Sequence, residues 1–172
     1  MGNDLEILRA SSAKIQESIR HQCMTSAGGI DSKILCSSLS LLDPREVITN
    51  RATDTLDKVM KHLHRDKVGC VTIIDDDGRI IGIFSERDYI IKVYGNDADH
   101  ADPISEFMTP DPICVKFDDT IAYALTLMSQ GGFRHLPVID NDDQPVGIIS
   151  VKCIVDFLSG KIFSELLDGG QV

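Results

Sequence analysis

Tryptophan is absent from this chain, aromatic residues make up only 5%, and six prolines and thirteen glycines are spread over 172 residues. So little Gly and Pro excludes a fibrous or low-complexity chain. No apolar run approaches the roughly 18 residues a membrane-spanning helix needs. The start, Met1-Gly-Asn-Asp-Leu-Glu, lacks a basic stretch followed by an apolar one, so no secretory signal is expected. Glu6 stands where a myristoylation motif needs Ser or Thr. Basic residues are outnumbered 17 to 27, for a formal net charge of -10. That argues against a general nucleic-acid binder, whose affinity comes from Lys and Arg on phosphates, but leaves room for a local basic pocket. Five cysteines, Cys23, Cys36, Cys70, Cys114 and Cys153, stand singly with no CxxC. An odd, scattered set fits a reducing compartment with neither a disulfide framework nor a zinc site, and the expected location is cytoplasmic. Neither a GxSxG elbow nor a P-loop occurs. The acidic runs Asp75–Asp77 and Asp140–Asp143 lack the Gly and Glu spacing of an EF-hand and read as hairpin turns. His62 and His64, two residues apart, do not face each other on a helix, so no metal site is expected.

What is present is a core of ordinary size, with 42% hydrophobic residues, arranged in a repeat. Gly82-Ile83-Phe84-Ser85-Glu86-Arg87-Asp88 reads as a strand ending in a serine and turning at once into a helix. It returns 65 residues later as Gly147-Ile148-Ile149-Ser150-Val151-Lys152-Cys153. At that shift residues 39–90 match 104–155 without a gap: Asp54-Thr55 falls on Asp119-Thr120, Ile74-Asp75 on Ile139-Asp140, and Gly82-Ile83 on Gly147-Ile148. A copy of about 50 residues buries little surface alone, so two are expected to share a core. Each copy reads as a short strand (Val47-Ile48; Ile113-Cys114-Val115), a capped amphipathic helix, a strand (Cys70–Ile74; Leu136–Ile139), a tight turn, a second strand (Arg79–Ser85; Val146–Ser150) and a closing helix (Glu86–Val93; Val151–Leu158). Residues 4–22 have a patchy helical period, packing on the same domain or used in dimer contact. Met24–Asp31 reads as a loop, and Lys161–Leu167 as a last short helix.

With Phe133-Arg134-His135-Leu136-Pro137-Val138-Ile139-Asp140, the Gly82–Asp88 corner and Glu106-Phe107-Met108-Thr109-Pro110, the chain resembles a pair of CBS (cystathionine-beta-synthase-type) domains over roughly residues 39–158. The resemblance implies an α+β fold of two β-α-β-β-α repeats packed as one pseudo-twofold module, with an extra N-terminal helical segment. The expected division is 1–38 (helical extension), 39–95 (first repeat), 96–103 (linker), 104–160 (second repeat) and 161–172 (tail). It further implies a non-enzymatic regulatory module. Such a module binds an adenosine-containing ligand, AMP, ADP, ATP or S-adenosylmethionine, requires no cofactor or metal, and forms a homodimer with a possible regulated protein partner.

Carried over residue by residue, the resemblance implies a first ligand site made of Ser85, Arg87, Asp88, Ile113, Cys114, Arg134, His135 and Pro137. Its chemistry is coherent. One carboxylate, Asp88, accepts from both hydroxyls of a ribose; Ser85 bonds ribose or phosphate; Arg87 and Arg134 supply positive charge; Ile113 and Phe84 form an apolar wall for adenine. A second site would combine Thr49, Gly69, Cys70, Val71, Ser150 and Lys152. There Cys153 replaces the carboxylate and cannot accept two strong hydrogen bonds from a diol, and Thr72 stands where the other repeat has Pro137, so that site is expected to be weak or degenerate. The residues also carry plainer readings. Ser85-x-x-Asp88 is a capping-box spacing, Arg134 could pair with Asp88, and His135 could be structural. A structural adaptor with vestigial clefts is the alternative function.

Overall fold

A computed structural model describes residues 2–25 and 32–168. In chain order these form α1 (Gly2–Thr25), α2 (Ser32–Leu35), a 3-10 turn at Leu39–Leu42, β1 (Thr49–Arg51), α3 (Leu56–Asp66), β2 (Cys70–Ile74), β3 (Ile80–Ser85) and α4 (Glu86–Asp88). A π-helical turn at Tyr89–Val93 and a 3-10 turn at Ile104–Glu106 follow, then β4 (Thr109–Pro110), α5 (Ile121–Gly131), β5 (His135–Ile139), β6 (Pro145–Ser150) and α6 (Val151–Asp168). The chain is a mixed helix and sheet protein with two repeats and an added N-terminal helix. Most of the expected loop at Met24–Asp31 lies outside the described residues.

Local chemistry explains both the agreements and the departures. Thr55 and Thr120 cap α3 and α5, their hydroxyls accepting from Lys58 N and Tyr123 N at 3.3 and 3.2 Å. The first strand begins at Thr49 rather than Val47, although Thr72 N still donates to Ile48 O at 3.0 Å. Ile113-Cys114-Val115 forms no named strand; Thr109–Pro110 takes the edge of β3 instead. The closing helix of the first repeat is one α-turn that widens, Tyr94 N donating to Tyr89 O at 2.8 Å. The last two expected helices are one, α6, with Gly160 inside it; an internal Gly costs only about 1 kcal/mol against Ala and does not end a long helix.

Two compact units emerge, and they are not the sequence repeats. One consists of Glu46–Cys114 and Pro137–Gly147, the other of Met1–Arg45, Val115–Leu136 and Ile148–Val172; they are called here the Asp88 unit and the Cys153 unit. The Asp88 unit carries a four-stranded sheet of order β1-β2-β3-β4, with β1 parallel to β2 and the remaining pairs antiparallel. Its core joins Leu56, Val59 and Leu63 of α3 to Val71, Ile73 and Phe84 of the sheet and to Val93, Ile104 and Phe107. In the Cys153 unit Leu39, Ile121, Leu127, Leu136, Ile149 and Ile154 are fully buried. There α1 packs on α5: Leu8 is buried, Ser12 hydrogen-bonds the Tyr123 hydroxyl, and Gln16 donates to the Asp119 carboxylate. β5 and β6 pair in a separate two-stranded sheet.

The units depart from the repeats because each repeat lends its lead-in segment to the other. Leu39 N donates to Asp119 O at 2.9 Å, Ser40 N to Phe117 O at 3.2 Å, and Ile121 N to Ser37 O at 3.0 Å. Shifted by 65, the same bonds recur as Ile104 N to Asp54 O at 2.7 Å, Ser105 N to Ala52 O at 3.1 Å, and Leu56 N to Asp102 O at 2.9 Å. The hairpin turns correspond too, with Arg79 N and Gln144 N donating to the Asp75 and Asp140 carboxylates at 2.8 and 2.9 Å. Cys36 is disulfide-bonded, which corrects the expectation of a chain without disulfides.

One glycine fixes how closely the second lead-in approaches the sheet. A Cβ on Gly82 would stand 2.3 Å from the Met108 sulfur and 3.1 Å from its Cγ. Gly82 pairs with Pro110 across β3 and β4. Gly82→Ala is therefore expected to push Met108 and β4 outward and destabilise the protein by about 1–3 kcal/mol, measured by urea unfolding. A loss under about 0.5 kcal/mol would mean the methionine swings clear at no expense.

Candidate functional site

The Asp88 corner is built from a strand end and a one-turn helix. β3 delivers Ser85 to the N-cap of α4, and Glu86 N is held by Gly69 O at 3.1 Å. The corner of the other unit is anchored identically, Val151 N donating to Arg134 O at 3.0 Å. Ser85 and Asp88 form a capping box: Ser85 N donates to Asp88 Oδ2 at 3.0 Å, and Asp88 N to Ser85 Oγ at 3.4 Å. The plain capping reading of this spacing is thus correct.

The carboxylate does more than cap. Ser85 Oγ also donates to Oδ2, at 2.6 Å. Oδ1 accepts from the Thr109 hydroxyl at 2.9 Å and from Lys92 Nζ at 2.9 Å. Lys92 in turn donates to Phe107 O at 2.9 Å and to Thr109 Oγ1 at 3.1 Å. The Asp88 side chain retains 14% of its exposure and that of Lys92 33%, so the network sits at the edge of solvent. Burial alone would raise the Asp88 carboxyl; the Ser85 hydrogen bond, then Lys92 and Thr109, outweigh it and hold the group below the usual carboxylate range.

The other residues read from the sequence lie as follows. Arg87 is exposed on α4, Ile113 and Cys114 are half-buried in the irregular segment after β4, and Pro137 is buried in β5; all belong to the Asp88 unit. Arg134, exposed, and His135, half-buried, belong to the Cys153 unit. Phe84 has no exposed surface and is packed in the core, so it cannot serve as a wall for adenine, which corrects that expectation. Of the second set, Thr49 is exposed, Gly69 half-buried, and Cys70 and Val71 buried in β2. Burial, with Asp88 and Glu86 nearby, pushes the Cys70 thiol up to about 12, so it is an unreactive core group. Ser150 and Lys152 lie in the Cys153 unit, where Ser150 Oγ meets Cys153 Sγ at 3.2 Å and Lys152 pairs with Asp156 at 2.5 Å.

Lys92 and Thr109 are missing from the sequence-based set. The spacing of Lys92, one turn after Asp88, is a readable signal; Thr109, 21 residues away, becomes a partner only through the β3–β4 pairing. Among the described residues no group of three or more His, Cys, Asp or Glu could hold a metal ion, and no helix is long and apolar enough to cross a membrane.

The two lead-ins, corners and capped helices are those of a known family. A family model for the CBS domain matches residues 45–95 and again 104–160. An uncharacterized 17.7 kDa protein of Acidianus ambivalens is 29% identical over 118 residues, 69% of this chain and 71% of that one. The chain spans only 21% of a CBS domain-containing protein of Arabidopsis thaliana that it matches at 29% identity. A solved CBS-domain protein of Agrobacterium tumefaciens superposes with a TM-score of 0.64 at 31% identity, covering 70% of this chain and 98% of that one. The cytosolic domain of the Mg2+ channel MgtE, in complex with ATP, superposes at 0.55 and 28% identity, covering 64% and 44%. A CBS domain pair in complex with 5'-methylthioadenosine and S-adenosyl-L-methionine superposes at 0.65 and 22% identity, covering 73% and 98%. With its two matched repeats spanning more than half of its length, this chain belongs to the CBS-domain family.

Proposed function

We propose that this protein is a non-enzymatic regulatory module that binds an adenosine-containing ligand at the Asp88 corner. The observation that carries the reading is a carboxylate held ionised at the edge of solvent by Ser85, Lys92 and Thr109. Such a group accepts from two vicinal hydroxyls at once, the pair that a ribose offers. Ser85, Asp88 and exposed Arg87 would hold ribose and phosphate, with half-buried Ile113 and Cys114 of the same unit beside the base. Support comes also from family members whose solved forms hold ATP or S-adenosyl-L-methionine. In the Cys153 unit the thiol replaces the carboxylate, and no diol site is proposed there.

Binding would favour one geometry of the protein by its differential affinity for that state. The same reading includes a homodimer, supported by Ile90 and Ile91, 63% and 49% exposed on the π-helical turn, and by Tyr94 just after it, 73% exposed. Thermal melting against AMP, ADP, ATP and S-adenosylmethionine tests the ligand class. A ligand present at about 100 times its Kd stabilises by roughly 2.7 kcal/mol, a midpoint rise of several degrees. No rise with any of the four, after removal of co-purifying ligand, would sink the reading in favour of an adaptor.

A further inference from the structure

Asp88 has no acceptor capacity left. A carboxylate offers about four lone-pair sites, and four donors occupy them: Ser85 N and Ser85 Oγ on Oδ2, the Thr109 hydroxyl and Lys92 Nζ on Oδ1. A ligand diol therefore binds only by exchange. The Oδ2 donors belong to the helix cap and are fixed locally. Those on Oδ1 are different: Thr109 reaches across from β4 and Lys92 is a flexible side chain one turn on, so Oδ1 is the exchangeable oxygen.

The Cys153 unit supplies a comparison within the same chain. Shifted by 65, Asp88, Lys92 and Thr109 correspond to Cys153, Phe157 and Pro44. All three polar groups are missing there together, while the Ser150 cap remains, with Cys153 N donating to Ser150 Oγ at 3.2 Å. Lys92 and Thr109 accompany the carboxylate, not the cap.

We infer that Thr109 and Lys92 are internal stand-ins for the ligand's hydroxyls, and that a diol taking Oδ1 loosens the Phe107–Pro110 end of the Ile104–Pro110 segment at the corner. This rests on the Asp88 ligand site proposed above and adds its regulation. In the structure the latch is closed: Thr109 is tied to Asp88, and Lys92 bridges Asp88 to Phe107 O and Thr109 Oγ1. The loosened end continues the lead-in that docks on the first repeat through Ile104 N and Ser105 N. Ligand exchange at one oxygen thereby reaches the connection between the repeats.

The test is titration calorimetry of AMP, ATP and S-adenosylmethionine against wild type, Thr109→Val and Thr109→Ser, with hydrogen exchange of residues 104–111 in each. Valine keeps the shape and removes the competing donor, so whichever ligand binds wild type should bind Thr109→Val about tenfold tighter, the worth of one hydrogen bond to a charged group. Serine retains the hydroxyl and should bind closer to wild type. Ligand should speed exchange at 104–111 in wild type, and Thr109→Val should show part of that increase without ligand. Binding to wild type with Thr109→Val no tighter, or with exchange unaltered, overturns the latch and leaves the ligand site standing. If none of the three ligands binds wild type, the ligand site itself fails, and the latch with it.

Discussion

Phe84→Ala is expected to destabilise the protein by about 3–5 kcal/mol, a third or more of the stability of an ordinary domain. Phe84 is fully buried on the inner face of β3, against Leu56, Val59 and Leu63 of α3 and Val71 and Ile73 of β2. Truncation removes a full ring from water-excluded contacts and leaves a cavity among close-packed side chains. The midpoint should fall by roughly 10 °C or more, and urea unfolding gives the free energy directly. Phe84→Leu, which refills most of the space, should cost far less and leave ligand binding intact. A ligand-binding loss in Phe84→Leu without a stability loss would restore the residue to the site; a cost below about 1 kcal/mol for alanine would mean that the core is not closed at this point.

Phe84 also marks where sequence reading stops. The repeat is legible because turn chemistry is local: Asp75 and Asp140 each tie a hairpin, Thr55 and Thr120 each cap a helix, and these positions declare themselves by residue type alone. The two-faced strands are less so. In Ile80–Ser85 both faces are apolar, and which side chain meets core or solvent depends on what packs on each face, so Phe84 reads equally well as wall or core. Tertiary pairing is not legible at all. Thr109 lies inside a recognisable lead-in motif, yet its role at Asp88 arises from the register of β4 on β3. The exchange of lead-ins between repeats is likewise invisible, since it is made of backbone bonds that any residues could form.

Asp88→Asn should lower ligand affinity at least a hundredfold and stability by roughly 1–3 kcal/mol. The affinity figure follows from losing two hydrogen bonds to a charged acceptor, each worth about 1.5–3 kcal/mol. The stability figure follows from turning one acceptor into an amide that faces existing donors, and from leaving Lys92 without its counter-charge. The pH dependence separates the ionised carboxylate from mere shape. Asp88 is held below the usual carboxylate range in the folded protein, so the folded state binds its proton less readily than the unfolded one. Its contribution is then fully present above the unfolded value of about 3.9 and is lost as pH falls toward the folded value. Asp54 acts with the same sign: burial is outweighed by Lys58, Arg51 N and Asn50, which hold it low. Wild-type stability should accordingly be level with pH between about 5 and 7 and decline below about 4, while the gap between wild type and Asp88→Asn narrows over the same acid range. A gap that persists undiminished to pH 3 would mean that the charge on Asp88 contributes nothing, and that its hydrogen-bonding shape alone holds Thr109 and Lys92 in place.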